Sequence, residues 1–600
     1  MEPQPSRHSL GSMKTLLLLL LLLCLVAGTG RGEFAIAENG RARCVVVVDP
    51  AASPPEQTAA RELVAALRQI TGVGFLVSTN TVAPEHAIVV GRGEAASGAF
   101  AGVSFDTLGS EEFVVKTRGT RLLIAGGRPR GTLYAVSWFL QRECGVRWWT
   151  PWASRIPRQP VLKVGDLDLR EAPAFEYREP FWYPAFDADW SWRNGCNGQS
   201  SRLAPEQGGR ITYQGFVHTF YPLVPPEKHF AEHPEWYSLI KGQRSTNHAQ
   251  LCLTNPKLLD FVVEQVRRQL YASPGAGIVS VSQNDWHGAC QCDACKALDD
   301  AEGTHAGTML SFVNQVAERI EPEFPRVAVD TLAYQYTRKP PKTLRPRANV
   351  IVRLCSIECN FREPLDHPSN AAFADDIRGW SRICGRLYIW DYTTDFGHYV
   401  QPHPNWFVLG PNLRFFQEHN VRGVFEQGAY QSHGSEMAEL RAWVLARLLW
   451  NPRQDDRALV REFLEGYYGA AAAPFLGRYL ELMHGASAGY KLGCFASTDG
   501  PHLRFKPLAE AEQLWQQAEA ASAGDPDRID RVRLGHLAVR HAWLARWSQL
   551  RGECAALGAT WPLSDSRQQV ADDWMAVARV NEGGLTPERW AARFARESSE

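Results

Sequence analysis

Acidic and aromatic residues recur in this chain at places where short apolar runs end. The run 278–285, IVSVSQND, reads as a buried strand whose tip carries Asn284, Asp285, Trp286 and His287. Glu358 follows in RLCSIECN. Trp390, Asp391 and Tyr392 close another run, with Asp395 just behind, and Glu426 closes a further one. His218, Asp330 and Tyr334 occupy comparable positions. Carboxylates beside flat rings are what glycoside hydrolysis needs: one acid to protonate the leaving oxygen, a second carboxylate or the substrate's own amide at the anomeric centre, and rings for the sugar faces. A lone acid at a strand end serves as well to cap a helix or pair with an arginine. Asp330, within VAVDTL, fits that structural role.

The cysteines form a second pattern. Cys290, Cys292 and Cys295 follow the central run in CQCDAC, with Cys252 upstream and Cys355 and Cys359 downstream. Four thiolates can hold zinc tetrahedrally, whereas in an exported protein disulfides are the commoner outcome. We favour disulfides and read the cluster as a brace for loops. His233-Pro234-Glu235-Trp236 fits a cleft wall or a proline-fixed turn. Ser432-His433 lacks a nucleophile-elbow sequence and is set aside.

The elements that must position these residues alternate. Strands are expected at 174–183, 210–217, 248–254, 278–285, 327–336, 349–355, 386–391 and 421–426, with helical spacing at 258–270 and 308–320 and a shorter helix at 413–419. Eight strands over this length match one (β/α)8 TIM-type barrel, whose functional side chains lie at the C-terminal strand ends. An open doubly wound sheet would carry a glycine-rich phosphate loop after its first strand, and none is visible. Residues 33–165 read as a small N-terminal α/β accessory domain, 170–450 as the barrel, and 451–600 as a C-terminal helical domain. Residues 13–30, MKTLLLLLLLLCLVAGTG, read as a secretory signal within 1–32, so the mature protein should be exported, periplasmic or extracellular, with no membrane anchor. A net charge of −1 gives no electrostatic case for nucleic acid.

The motifs GTLYAVSWFLQRECGVRWWTPW, VPPEKHFAEHPEWYSLIKGQR, LCLTNP, VSVSQNDW, CQCDACKA and ARLLWNP carry a family resemblance. The first is similar to the accessory domain before the barrel in alpha-glucuronidases and beta-hexosaminidases. Together they resemble the exported bacterial domain of unknown function 4838, which overlaps glycoside hydrolase family 163, endo-acting beta-N-acetylglucosaminidases on complex N-glycans. The resemblance implies a barrel glycosidase with no cofactor or required metal, acting on a carbohydrate substrate. If catalysis is substrate-assisted, Asn284 would orient the acetamido group and Asp285 would be the acid. An alpha-glucuronidase-like inverting layout would instead use Asp285, Glu358 and Asp391. We expect Asp285 or Glu358 as general acid, its proton held by burial beside Trp286 or by a neighbouring carboxylate. Glu358, Asp391 and Glu426 compete for the second carboxylate role, and His218, Trp286, Tyr334, Trp390 and Tyr392 would shape the sugar subsite. The alternatives are a non-catalytic glycan-binding protein and a metal-dependent hydrolase using the Cys cluster or the rim acids.

Overall fold

A computed structural model describes residues 33–431 and 433–580. The expected signal segment and Ser432 lie outside the described residues. The chain divides into two compact units. One holds the described residues up to Gly145 together with Ile156–Glu171; the other holds Val146–Arg155 and everything described from Ala172 onward.

The smaller unit is an α/β layer. Four parallel strands, Val77–Ser78, Val45–Val48, Ala87–Val90 and Arg121–Gly126, continue into two antiparallel ones, Phe113–Arg118 and Asp168–Glu171. The helix Pro54–Thr71 buries Ala59, Leu63, Leu67 and Ile70, and Gly72 ends it in the left-handed region at φ 78°.

The larger unit is built on seven parallel strands: β1 Tyr177–Phe181, β2 Tyr213–Gln214, β3 Ile278–Ser280, β4 Ala328–Ala333, β5 Val350–Cys355, β6 Leu387–Tyr392 and β7 Val421–Gln427. Their order is β1-β7-β6-β5-β4-β3-β2. Strands β3 to β6 are buried along their whole length, as expected of parallel strands covered on both faces. Among the helices around them, Pro256–Ala272 opens on Asn255, whose side chain accepts from the Lys257 and Leu258 amides.

The expected eight-stranded closed barrel is corrected in two places. The stretch 248–254 makes no strand of this sheet, because its backbone is committed elsewhere. The Gln250 amide donates to the Gly288 carbonyl at 3.1 Å, the Cys252 amide to Trp236 at 2.8 Å, and the Gln250 carbonyl accepts from Ser238 at 3.0 Å. It therefore serves the loop after β3, and β2 pairs directly with β3. Nor is there a ladder between β1 and β2. Asn197 spans that gap, donating to the Arg178 carbonyl at 3.3 Å and accepting from the Ile211 amide at 2.9 Å. The result is a curled, open half-barrel.

Inside the curl, Arg353 is fully buried. Its guanidinium lies 4.7 Å from the Tyr213 ring and 4.5 Å from Phe216, and reaches Asp330 at 3.0 Å. Asp330 thus has the structural pairing expected of it. Burial still pushes its carboxyl up to about 6, against the pull of Arg353. The helices Ala438–Trp450, Asp456–Phe463, Ala473–Ala486, Phe505–Ser522 and Pro526–Ala545 belong to this same unit. The last of these ends at Arg546, and the chain resumes as the helix Trp547–Ala556.

Candidate functional site

Three neighbouring strands carry the mouth of the half-barrel. Asp285 follows β3, Tyr334 follows β4 and Glu358 follows β5. Tyr334 is 6% exposed, and burial followed by the Asp285, Cys355 and Glu358 charges holds its hydroxyl well above the usual range, while that oxygen accepts from Gln335 Nε2 at 3.0 Å. The Cys355 thiol, aimed into the same space, is pushed up mainly by burial and then by Asp330, Glu358 and Asp285. Tyr392 answers to Cys355, Tyr334, Cys494 and Asp285 after its own burial. Asp285, Glu358, Tyr334, Tyr392 and Cys355 are therefore brought together.

His218 joins them. Its backbone sits in the left-handed region at φ 55°. Its Nδ1 is 2.8 Å from the Gln283 carbonyl, so Nδ1 carries the hydrogen and Nε2 faces Asp285 Oδ1 at 3.7 Å. Asp285 itself is 60% exposed, not buried beside Trp286 as expected. Glu358 is paired with Arg338 at 3.0 Å, and Arg338 also holds Asp376 at 2.7 Å. Arg338 was not anticipated. It follows β4 by five residues, and only the fold puts it beside Glu358.

Asn284 is 2% exposed and both ends of its amide are used. Nδ2 donates to the Ala249 carbonyl at 3.1 Å and Oδ1 accepts from the Tyr221 amide at 3.2 Å. It pins the loop and offers nothing to a substrate amide. Trp286 is tied in the same way, its Nε1 donating to Ala249 at 2.7 Å while its ring stacks on His248 at 5.7 Å.

Asp391 and Glu426 are directly opposite each other on β6 and β7. Their faces follow from the pleat. Trp390 meets Phe216 at 5.5 Å and Phe425 at 4.7 Å, and Tyr392 lies 6.2 Å from Trp390, so these rings point into the curl. Asp391 and Glu426 alternate with them and point to the helix layer. There the Ser356 hydroxyl and the Tyr392 amide donate to Asp391 Oδ1. Burial pushes Asp391 up to about 6, and burial plus the Asp391 charge pushes Glu426 further. Asp391 thus takes its hydrogen bonds from Ser356 and Tyr392, while the buried Cys359 thiol feels both Asp391 and Glu358. Trp390, 9% exposed, is packed beneath the mouth as part of its floor. Asp395 is buried under its own loop, accepting from the Gly397 and His398 amides at 2.9 and 3.3 Å.

The other motifs resolve as structure. Pro234–Trp236 is a single 3-10 turn whose Trp236 is buried against Phe261, with His233 stacked on it at 4.0 Å. His433 lies against Tyr183 and Trp152, at 4.2 and 4.7 Å. Cys355 and Cys359 are free thiols in the fold, as are Cys252, Cys290, Cys292 and Cys295, contrary to the disulfides favoured above.

Comparison with known proteins fits this architecture. Residues 148–481, more than half of the chain, match the family described as domain of unknown function (DUF4838), and the chain belongs to that family. Residues 37–138 match the N-terminus of glycosyl hydrolase family 67. Among solved structures the fold is similar to a family GH115 4-O-methyl-alpha-glucuronidase with specificity for decorated arabinogalactans. The identity is 12%, over 90% of this chain and 77% of that one, with a TM-score of 0.56. A GH138 enzyme targeting pectin rhamnogalacturonan II aligns over 93% of this chain and 98% of its own, at 10% identity and a TM-score of 0.43. No curated protein sequence matches the chain. Among the described residues no helix is long and apolar enough to cross a membrane.

Proposed function

We propose that the protein is a glycoside hydrolase in which Asp285 and Glu358 flank the scissile bond at the half-barrel mouth. The observation that carries this reading is Tyr334, a buried phenol on the strand between them that feels both charges. Strands in a sheet are about 4.8 Å apart, so two strands over puts the two backbones about 10 Å apart. Side chains leaning inward shorten that toward the ~6.5–9.5 Å of an inverting pair rather than the ~5–5.5 Å of a retaining one.

The roles follow from the partners. Glu358 is ion-paired with Arg338, the state a base needs to activate water. Asp285 stands between the Tyr334 hydroxyl and His218 Nε2, within reach of a leaving oxygen, and is the acid. Because Asn284 is consumed by its loop, the orienting-amide route has no residue at that position, which further favours two carboxylates and a water. Tyr392 and Tyr334 line the sugar subsite, and Trp390 supports them from below. We infer a glycan substrate, with GlcNAc-containing N-glycans first on the strength of the sequence resemblance and uronic-acid glycans second. The leader-like 13–30 segment supports a reaction outside the cytoplasm.

The test is a glycan screen with mass detection of released product, followed by proton NMR of the anomer formed. Inversion is expected. With an activated aryl glycoside, Asp285→Asn should keep most of its activity, because a good leaving group needs no proton, while Glu358→Gln should lose it. Glycans bound but left intact by the wild type would make this a binding protein instead.

A further inference from the structure

We propose that Cys252, Cys290, Cys292 and Cys295 form a tetrathiolate zinc site that clamps the loop carrying Asp285. The four Sγ atoms all lie within 4.8 Å of one another, with Cys252 at 3.6 Å from Cys292 and 3.9 Å from Cys295. Four sulfurs at the ~2.3 Å of a zinc–thiolate bond sit about 3.8 Å apart at the corners of a tetrahedron. Bonded sulfurs would be about 2.05 Å apart. A cubane iron–sulfur cluster needs wider spacing than this, because each thiolate ligates a different iron.

The surroundings are those of thiolates. The Leu239 amide donates to Cys290 Sγ at 3.3 Å and the Arg244 guanidinium approaches the same sulfur at 3.7 Å. Thr254 Oγ1 lies 3.2 Å from Cys295 Sγ. Cys292 caps the ten-residue helix Asp293–Glu302 and Cys295 sits in its first turn, so the positive end of that helix faces the sulfurs. Cys252, Cys290 and Cys295 are buried, with Leu239 packed against them. Loading displaces the thiol protons to solvent, and a zinc with four thiolates carries a net charge of −2, which Arg244 and the helix end offset.

Placement gives the site its purpose. Gln250 Oε1 accepts from the Asn284 amide at 2.9 Å, and its Nε2 donates to the Asn284 and Trp286 carbonyls at 3.1 and 2.6 Å. Gly288, at φ 105°, lies so close to the His248 carbonyl that a Cβ there would sit 2.2 Å from that oxygen. The segment 248–252 is thus zipped to 284–291 at one end by amides and at the other by the cysteines. This zip is the use to which the missing barrel strand is put.

The full chain, purified without chelator and without a metal-affinity step, should carry about one zinc by elemental mass spectrometry. A mercurial should release it as the thiols titrate, detected with a zinc dye. Replacement by cobalt should give the intense visible bands of a tetrahedral thiolate site. Cys295→Ser should lose the metal, while Cys554→Ser, at a thiol remote from the cluster, should keep it. Metal-free protein whose four cysteines alkylate freely under denaturing, non-reducing conditions would overturn the proposal. So would disulfides mapped within the cluster, or iron in place of zinc. The wild-type metal content and cobalt spectrum decide the matter even if Cys295→Ser fails to fold, and none of these readouts depends on glycosidase activity.

Discussion

Two carboxylate pairs stand at or just beyond the C-terminal ends of strands in one sheet and live in opposite surroundings. Asp285 and Glu358 are 60% and 41% exposed at the open mouth, each with a polar partner. Asp391 and Glu426 are 3% and 1% exposed behind the sheet, where burial raises the proton affinity of both and the Asp391 charge adds to that of Glu426. The difference is one residue of pleat. Trp390 and Tyr392 face the curl, and the acid between them faces the helices. A strand end therefore does not deliver all its polar residues to one place, and a strongly raised carboxyl arises here at acids away from the mouth. Strong perturbation marks functional sites only probabilistically, and buried structural pairs produce it as well.

That contrast breaks most sharply at Asp285. On a natural glycan, Asp285→Asn should lower kcat by about three orders of magnitude or more with an unchanged melting temperature, since proton donation to a poor leaving group has no substitute. Steady-state kinetics beside thermal unfolding would show it, and a kcat within tenfold of wild type would remove Asp285 from the chemistry. Asn284→Ala should cost less, roughly 10- to 100-fold in kcat. It should also lose about 1–3 kcal/mol of stability, because the Tyr221 amide loses its buried partner and the Ala249 carbonyl keeps only that of Trp286.

The buried pair should behave in reverse. Its carboxyls titrate higher in the native state than unfolded, so the native chain holds protons there that the unfolded chain has released above about pH 4. The pair's contribution is fully favourable below that pH and declines as pH rises through about 6, where Asp391 titrates, and further through the Glu426 range. Glu426→Gln should remove much of that decline, raising stability at pH 8 by roughly 1–3 kcal/mol with little change at pH 4. Its kcat should stay within a few-fold of wild type. Denaturant unfolding at the two pH values, alongside kinetics, separates this from a catalytic role. The smallest effect is expected at His218: His218→Gln keeps a polar side chain beside Asp285 and should change kcat/KM by less than about tenfold. A thousandfold loss there would move the proton chemistry from Asp285 to the imidazole.

Much of the architecture was legible because hydrophobic period is local. The runs at 278–285, 327–336, 349–355, 386–391 and 421–426 each overlap a strand, and LCLTNP places Asn255 where a helix cap is needed. The stretch 248–254 reads equally well as a strand, and nothing within it says that its amides go to Gly288 and Trp236. Asn284 and Asp285 look alike as neighbours at a strand tip, yet one is consumed by Ala249 and Tyr221 and the other is left to the mouth.

By itself the sequence determined the parallel strands, most of the helices and the set of acids and rings at the strand ends, because spacing and residue type act over a few positions. Tertiary structure alone decided that the sheet stays an open half-barrel, that Asp285 and Glu358 meet around Tyr334, and that four cysteines from two segments converge. Those outcomes depend on which backbone groups satisfy one another across dozens of residues and on which face of a pleat a side chain takes. Hydrogen-bond accounting of that kind closes only when the whole chain is folded.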